Sequence, residues 1–114
     1  MLKTTVAAAT ILALSAAPAL AKEPLFWNLT VNTINSVVLS APGKNAWGPE
    51  QILNDKDKTV DPDERLKITG TADGVYDVKF KDVKGRSCLV PNVAVVAGQI
   101  FSIDEKQLGK ACTP

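Results

Sequence analysis

Val75-Tyr76-Asp77-Val78-Lys79-Phe80-Lys81 alternates without a break. Tyr76, Val78 and Phe80 fall on one side, and Asp77, Lys79 and Lys81 on the other. Successive side chains of a strand point to opposite faces, so this period of two predicts a half-buried strand with Tyr76, Val78 and Phe80 inward. Thr71-Ala72-Asp73-Gly74 before it reads as a turn, and Lys84-Gly85 after it as a hairpin tip.

Strand signals recur on both sides. Downstream, Ser87 to Val96 is apolar and β-branched, with an interruption at Pro91-Asn92. Ala97-Gly98-Gln99 turns the chain into Ile100-Phe101-Ser102-Ile103, and Asp104 to Gly109 fits a short helical turn. Upstream, Arg65-Leu66-Lys67-Ile68-Thr69 alternates with Leu66 and Ile68 inward. Leu25 to Asn32 also alternates, which puts Leu25, Trp27, Leu29 and Val31 on one side. Asn32-Thr33-Ile34-Asn35 reads as a turn and Ser36 to Ala41 as a returning strand. Ala41 to Gln51, with Pro42, Gly43, Gly48 and Pro49, is a loop. No segment has a sustained helical period. Six or seven short strands at a spacing of about 8–12 residues predict an all-β fold, a small and mostly antiparallel β-sandwich.

Residues 1–21 have the form of an export signal. Lys3 is a short basic start, Val6 to Ala17 is an uncharged apolar run, and Ala19-Leu20-Ala21 is a small-x-small cleavage pattern. The apolar run is shorter than the roughly 20 residues a membrane span needs. Cleavage after Ala21 leaves 93 of the 114 residues, 22–114, as a single domain. The expected location is the periplasm or the exterior. Two cysteines in an exported chain, Cys88 and Cys112, read as one disulfide. They lack the close Cys-x-x-Cys spacing of a redox or thiolate metal site.

Chemistry is sparse. The chain has no histidine, so the usual base of a nucleophilic triad is missing. A carboxylate pair for acid–base work needs a cleft with aromatic walls, and a small domain with six aromatics rarely builds one. The expectation is a non-enzyme. Charge is nearly balanced overall, which argues against a nucleic-acid binder.

The exception is local. Six of the twelve carboxylates lie between Glu50 and Glu64, with only Lys56 and Lys58 against them, a net charge of −4. Hard cations such as Ca2+ take roughly six to eight oxygen ligands. Asp55, Asp57 and Asp61 can converge in a turn, with Asp63 and Glu64 closing the ring. The segment is no EF-hand, because Val60 and Leu66 stand where that loop needs Gly and Glu. Val60-Asp61-Pro62-Asp63-Glu64-Arg65-Leu66 reads equally well as a solvated, Pro-containing turn into a strand. Trp47, in Trp47-Gly48-Pro49, is either a partner contact or a lid folded on the core. Asn28-Leu29-Thr30 has the form of a glycosylation sequon, which carries little meaning inside a strand.

Ile34-x-x-Val37-x-x-Ser40, Trp47-Gly48-Pro49, Leu53 and the stretch from Val60-Asp61-Pro62 to Ile68 resemble a group of small exported bacterial β-proteins of unassigned function, over residues 26–103. Signal peptide, β body and acidic segment together resemble landiscernin-like periplasmic lanthanide-binding proteins. That resemblance implies a sparse, exposed ligand set and a trivalent cargo, which is hard, Ca2+-sized and seeks anionic oxygen.

The combined expectation is non-catalytic binding of a lanthanide or Ca2+ through Asp55, Asp57, Asp61, Asp63 and Glu64, for buffering or handover. A metal-dependent homodimer would complete the coordination. The alternative is a module that binds another periplasmic protein, with the acids only solubilising.

Overall fold

The computed structural model describes Lys22–Pro114; the expected export signal, 1–21, lies outside the described residues. Seven strands follow in order: β1 (Leu25–Leu29), β2 (Ile34–Ser40), β3 (Arg65–Lys67), β4 (Gly74–Asp82), β5 (Ser87–Val95), β6 (Ile100–Asp104) and β7 (Cys112–Thr113). A 3-10 turn, Gln51–Asn54, precedes β3, and a one-turn helix α1, Glu105–Leu108, follows β6. The strands form two sheets, ordered β3-β1-β6 and β2-β4-β5-β7. Among the described residues no helix is long and apolar enough to cross a membrane.

The fold is mostly β, as the alternation predicts. Val78 and Phe80 of β4 are buried, and so are Leu66 and Ile68. One buried cluster takes Phe26, Leu66, Phe101 and Ile103 from the three-stranded sheet and Val37, Leu39, Val78, Phe80, Val90 and Val95 from the four-stranded one. The Phe26 and Phe101 rings stack with centroids 5.5 Å apart. Aromatic burial of this kind is the largest single contribution a small core can draw on.

Pairing is antiparallel except between β1 and β6, which run parallel, with Phe26 beside Phe101 and Trp27 beside Ser102. This one parallel pair leaves the pairing mostly antiparallel, as expected. The chain leaves β5 through the tight turn before Ile100 and enters the other sheet, so β6 meets β1 in the same direction.

Four local expectations also change. Ile34, expected in a turn, opens β2 and is fully buried, because its N–H and C=O bridge to Val60 at 2.9 Å each. The expected break at Pro91-Asn92 is a β-bulge inside a continuous strand: Val90 pairs with Val78 and Val93 with Tyr76, and Asn92 takes a positive φ of 56°. Asp77, expected on the solvent side of β4, is buried there: its carboxylate accepts the N–H groups of Asn92, at the bulge (3.1 Å), and of Gly43, in the loop after β2 (2.9 Å).

The fourth change is the most consequential. The inward side of β1 is Phe26, Asn28 and Thr30, all buried, while Leu25, Trp27 and Leu29 face outward, half-buried, and Val31 is 67 % exposed. The apolar alternation is real, but its phase is reversed. The Asn28 amide makes the reversal possible. Its Nδ2 donates to the carbonyls of Val60 (2.9 Å) and Asn32 (3.0 Å). Its Oδ1 accepts from Thr30 N–H (2.9 Å) and Thr30 Oγ1 (2.7 Å). Both donors and both lone pairs are used, so the desolvation cost of burying the group is offset.

Cys88 and Cys112 are bonded and pair directly across β5 and β7. Closing a loop of this length stabilises by roughly 3 kcal/mol on the chain-entropy model. We expect Asn28→Ala to cost about 2–4 kcal/mol, because it strands several buried polar groups. Val31→Ser should change stability by less than about 0.5 kcal/mol. Urea denaturation of both variants checks the assignment, and a costly Val31→Ser would restore the opposite phase of β1.

Candidate functional site

The acidic segment is threaded along the start of the fold by local hydrogen bonds. Asp55 Oδ2 accepts the Asp57 N–H at 2.8 Å, and Lys58 closes the turn at a φ of 61°. Asp61 Oδ1 accepts the Thr33 hydroxyl at 2.8 Å, and Glu64 Oε1 accepts the Asp61 N–H at 2.9 Å. Asp63, at a φ of 75°, accepts the Trp27 indole N–H on Oδ1 at 3.1 Å and on its carbonyl at 3.2 Å. Backbone bonds from Asn28 N–H to the Glu64 carbonyl and from Asp63 N–H to the Asn28 carbonyl fasten the turn to β1. Asp61 and Glu64 share one turn, Asp55 and Asp57 another, and Asp63 faces the indole. Among the described residues no group of three or more acidic or cysteine side chains is placed to hold a metal ion.

Glu50, at the start of the acidic stretch, also has a structural task. It accepts the Ser36 hydroxyl and the Val37 N–H, each at 2.6 Å. With Gly48 N–H on the Leu39 carbonyl and the bridge at Val60, the loop after β2 occupies the outer edge of that strand. An edge closed in this way resists pairing with another chain.

Trp47 neither lines the core cluster nor stands free. It is half-buried on the four-stranded sheet, with Lys79 Nζ 4.4 Å from its ring centroid. Beneath the same loop, Leu39, Gly48, Gly70, Thr71 and Tyr76 help line a cavity of about 160 Å3. That is smaller than the roughly 300 Å3 at which small-molecule pockets begin.

The outer face of the three-stranded sheet carries an apolar row. Trp27 lies at its centre, opposite Arg65 on β3 and Ser102 on β6. The Arg65 guanidinium sits 4.5 Å over the indole ring. Leu25 lies between Lys67 and Ile100, the latter 51 % exposed. The Asp63 bond to the indole N–H and the stacked guanidinium together hold the ring in one orientation. Sequence reasoning missed this surface, although its signal, the alternation of Leu25, Trp27, Leu29 and Val31, is plain. Only the direction of the strand's face was lacking.

A half-buried ion cluster closes the opposite end. Arg86 Nε bonds Asp82 at 2.8 Å, and its terminal nitrogens bond both Glu105 oxygens at 2.7 and 3.2 Å. Asp82 also accepts from Asn32 Nδ2 and from the N–H groups of Lys84 and Arg86, at 3.0 Å each. Glu105 accepts the Val31 N–H at 3.2 Å. The cluster thus joins the β1–β2 turn, the β4–β5 hairpin and α1. Burial pushes the Asp82 carboxyl up, but the bonds from Arg86, Asn32 and the backbone outweigh it and hold the group below its usual range. Arg86, chiefly, and the Val31 N–H hold Glu105 low against the effect of burial. Bonds to Glu105 and Asp82 raise Arg86, which stays charged.

No family model matches the chain, and no curated protein or solved structure matches it.

Both carboxyls are depressed in the folded state. Their contribution is therefore present above the unfolded carboxyl values near pH 4 and is lost as pH falls through the folded ones. Arg86→Met should cost about 2–3 kcal/mol at neutral pH by leaving Asp82 buried and unpaired. The deficit against wild type should shrink as pH drops below about 4 and the carboxylates protonate. Chemical denaturation across pH measures this, and a deficit that does not vary with pH would remove the ionic role.

Proposed function

We propose that this chain is a non-catalytic protein-interaction module of the periplasm or the exterior, engaging its partner through the outer face of the three-stranded sheet. We infer with it that the two sheets pack face to face as a sandwich, a reading supported by their shared core cluster. The observation that carries the function is the outward row Leu25, Trp27, Leu29 and Val31. A strand whose regular apolar side points away from the core leaves a contiguous apolar surface, and such surfaces mark interaction sites. Trp and Arg are the residue types that dominate binding energy at protein interfaces, and Trp27 with Arg65 supplies both at the centre of the row. On this reading the acidic segment is a connector whose carboxylates organise the turn behind Trp27.

A photo-crosslinking residue in place of Leu29, in cells that make the protein, should give a discrete protein adduct. The same residue in place of Lys81, on the face that carries Lys79 and Trp47, should give none. An adduct only at position 81 would move the surface to the Trp47 side, and none at either would end the module reading.

Cation binding stands as a second reading. What favours it is that Asp55 and Asp57 share one turn, joined by the 2.8 Å bond, within a stretch of net charge −4. A lanthanide should then bind more tightly than Ca2+, since attraction scales with charge. Titration with Tb3+ and Ca2+ decides it. Asp55→Asn/Asp57→Asn should weaken a true site at least ~10-fold, about 1.4 kcal/mol. Unsaturable binding, or equal titrations of variant and wild type, would leave the segment a solvated turn.

A further inference from the structure

We propose that β6 is a dimerisation edge: two copies of this chain join β6 to β6, antiparallel, with Ile100 of one copy opposite Ser102 of the other. The proposal goes beyond the interaction-module reading and does not depend on what binds the outer face. It starts from the four edges of the two sheets, three of which are closed.

A strand at a sheet edge carries unpaired N–H and C=O groups that invite another strand. On β2 the loop that follows meets those groups, through Glu50, the Gly48 N–H and the bridge to Val60. Along β3 the side chains of the 3-10 turn do the same. Asn54 Nδ2 donates to the Lys67 carbonyl at 2.7 Å, and Gln51 bonds the N–H and the carbonyl of Thr69, at 2.9 and 3.0 Å. The last edge of the four-stranded sheet is β7, only two residues long. Beyond it, β5 is interrupted by Pro91, which has no N–H, and by the bulge at Asn92.

β6 has none of these devices. Leu25 lies beside Ile100, and its N–H bonds the Gln99 carbonyl at 3.0 Å. In a parallel pair the bonding residue reaches the two neighbours of the one opposite it. Phe101 and Ile103 therefore turn their backbone groups to β1, and Ile100 and Ser102 turn theirs away. Among the described residues those two N–H and two C=O groups have no partner. Both residues are exposed, Ile100 at 51 %. The free run ends at Asp104, whose N–H is taken by Gln107 Oε1 at 3.1 Å.

That short run selects the occupant and its register. The chain turns at Gly98 on one side and enters α1 on the other, so a longer foreign strand gains no strand bond over a second β6. With Ile100 opposite Ser102 of the copy, two hydrogen-bonded pairs form, each exchanging both bonds. All four free groups of each chain are then engaged. The side chains agree. Branched Ile100 stands beside the small Ser102 of the copy, and Phe101 falls opposite its own counterpart, an aromatic pair of the kind that stabilises neighbouring strands. Asp104 falls opposite Gly98, with no like charge facing it. The contact uses the same patch on both copies and closes on itself. The joined sheet runs β3-β1-β6-β6-β1-β3 and ends on the two closed β3 edges, so assembly stops at the dimer.

Sedimentation of the purified protein at rising concentration should show a monomer–dimer equilibrium that EDTA does not change, with no larger species. Hydrogen exchange followed by NMR should give the amides of Ile100 and Ser102 protection that grows with the dimer fraction. Ser102→Pro removes an N–H that the monomer does not use, at an edge position where proline is tolerated. By deleting half of the intermolecular bonds it should weaken the dimer at least ~10-fold. A thermal melt like that of wild type shows that the variant folds; if it does not fold, the two wild-type amides decide alone. A monomer up to the solubility limit, a dimer that needs metal, or one that survives Ser102→Pro would overturn the proposal. So would a dimer in which those two amides exchange as fast as in the monomer.

Discussion

Asn28 is buried on β1, and its amide holds the chain on either side of the sheet corner. It bonds Thr30 and Asn32 beyond its own strand and Val60 at the end of the acidic segment. A buried amide with every donor and acceptor engaged is directional in a way that apolar packing is not. That requirement sets the rotation of β1: Phe26 goes into the core with Asn28, and Leu25, Trp27 and Leu29 go out. With β1 central in its sheet, the facing of β3 and β6 follows from register. The apolar outer surface is thus a consequence of one polar group inside.

Two further ties hold the ends. The Arg86 cluster draws the β1–β2 turn, the β4–β5 hairpin and α1 together through charge-assisted bonds. The disulfide fixes the two-residue β7 against β5, a strand too short to stay paired by its backbone bonds alone. Leu108 reaches the core from α1, whose capping box, Asp104 with Gln107, starts the helix where β6 ends. A small domain with a thin core depends on such ties.

The acidic stretch takes on a structural meaning in this setting. Glu50 closes the edge of β2, Asp61 and Glu64 shape the turn with Thr33, and Asp63 orients Trp27. Several turns in succession thus each use an acid to satisfy a backbone or side-chain donor.

Much was legible from residue order alone. Alternation placed β3 and β4, and apolar, β-branched runs between turn signals placed β6 and most of β5; Gly and Pro placed the turns; the cysteine pair gave the disulfide; Asp104 to Gly109 gave the helical turn. These are local properties, set by side-chain period and backbone preference within a few residues. The phase of β1 was not legible, because period two is the same whichever side faces in. Periodicity favours the apolar side, and the choice was reversed by contacts from Asn28 to a residue 32 positions away. The parallel pairing of β1 with β6 and the burial of Asp77 beside the bulge have the same origin. Each depends on which distant backbone groups need a partner, and only the folded chain brings those groups within hydrogen-bond range.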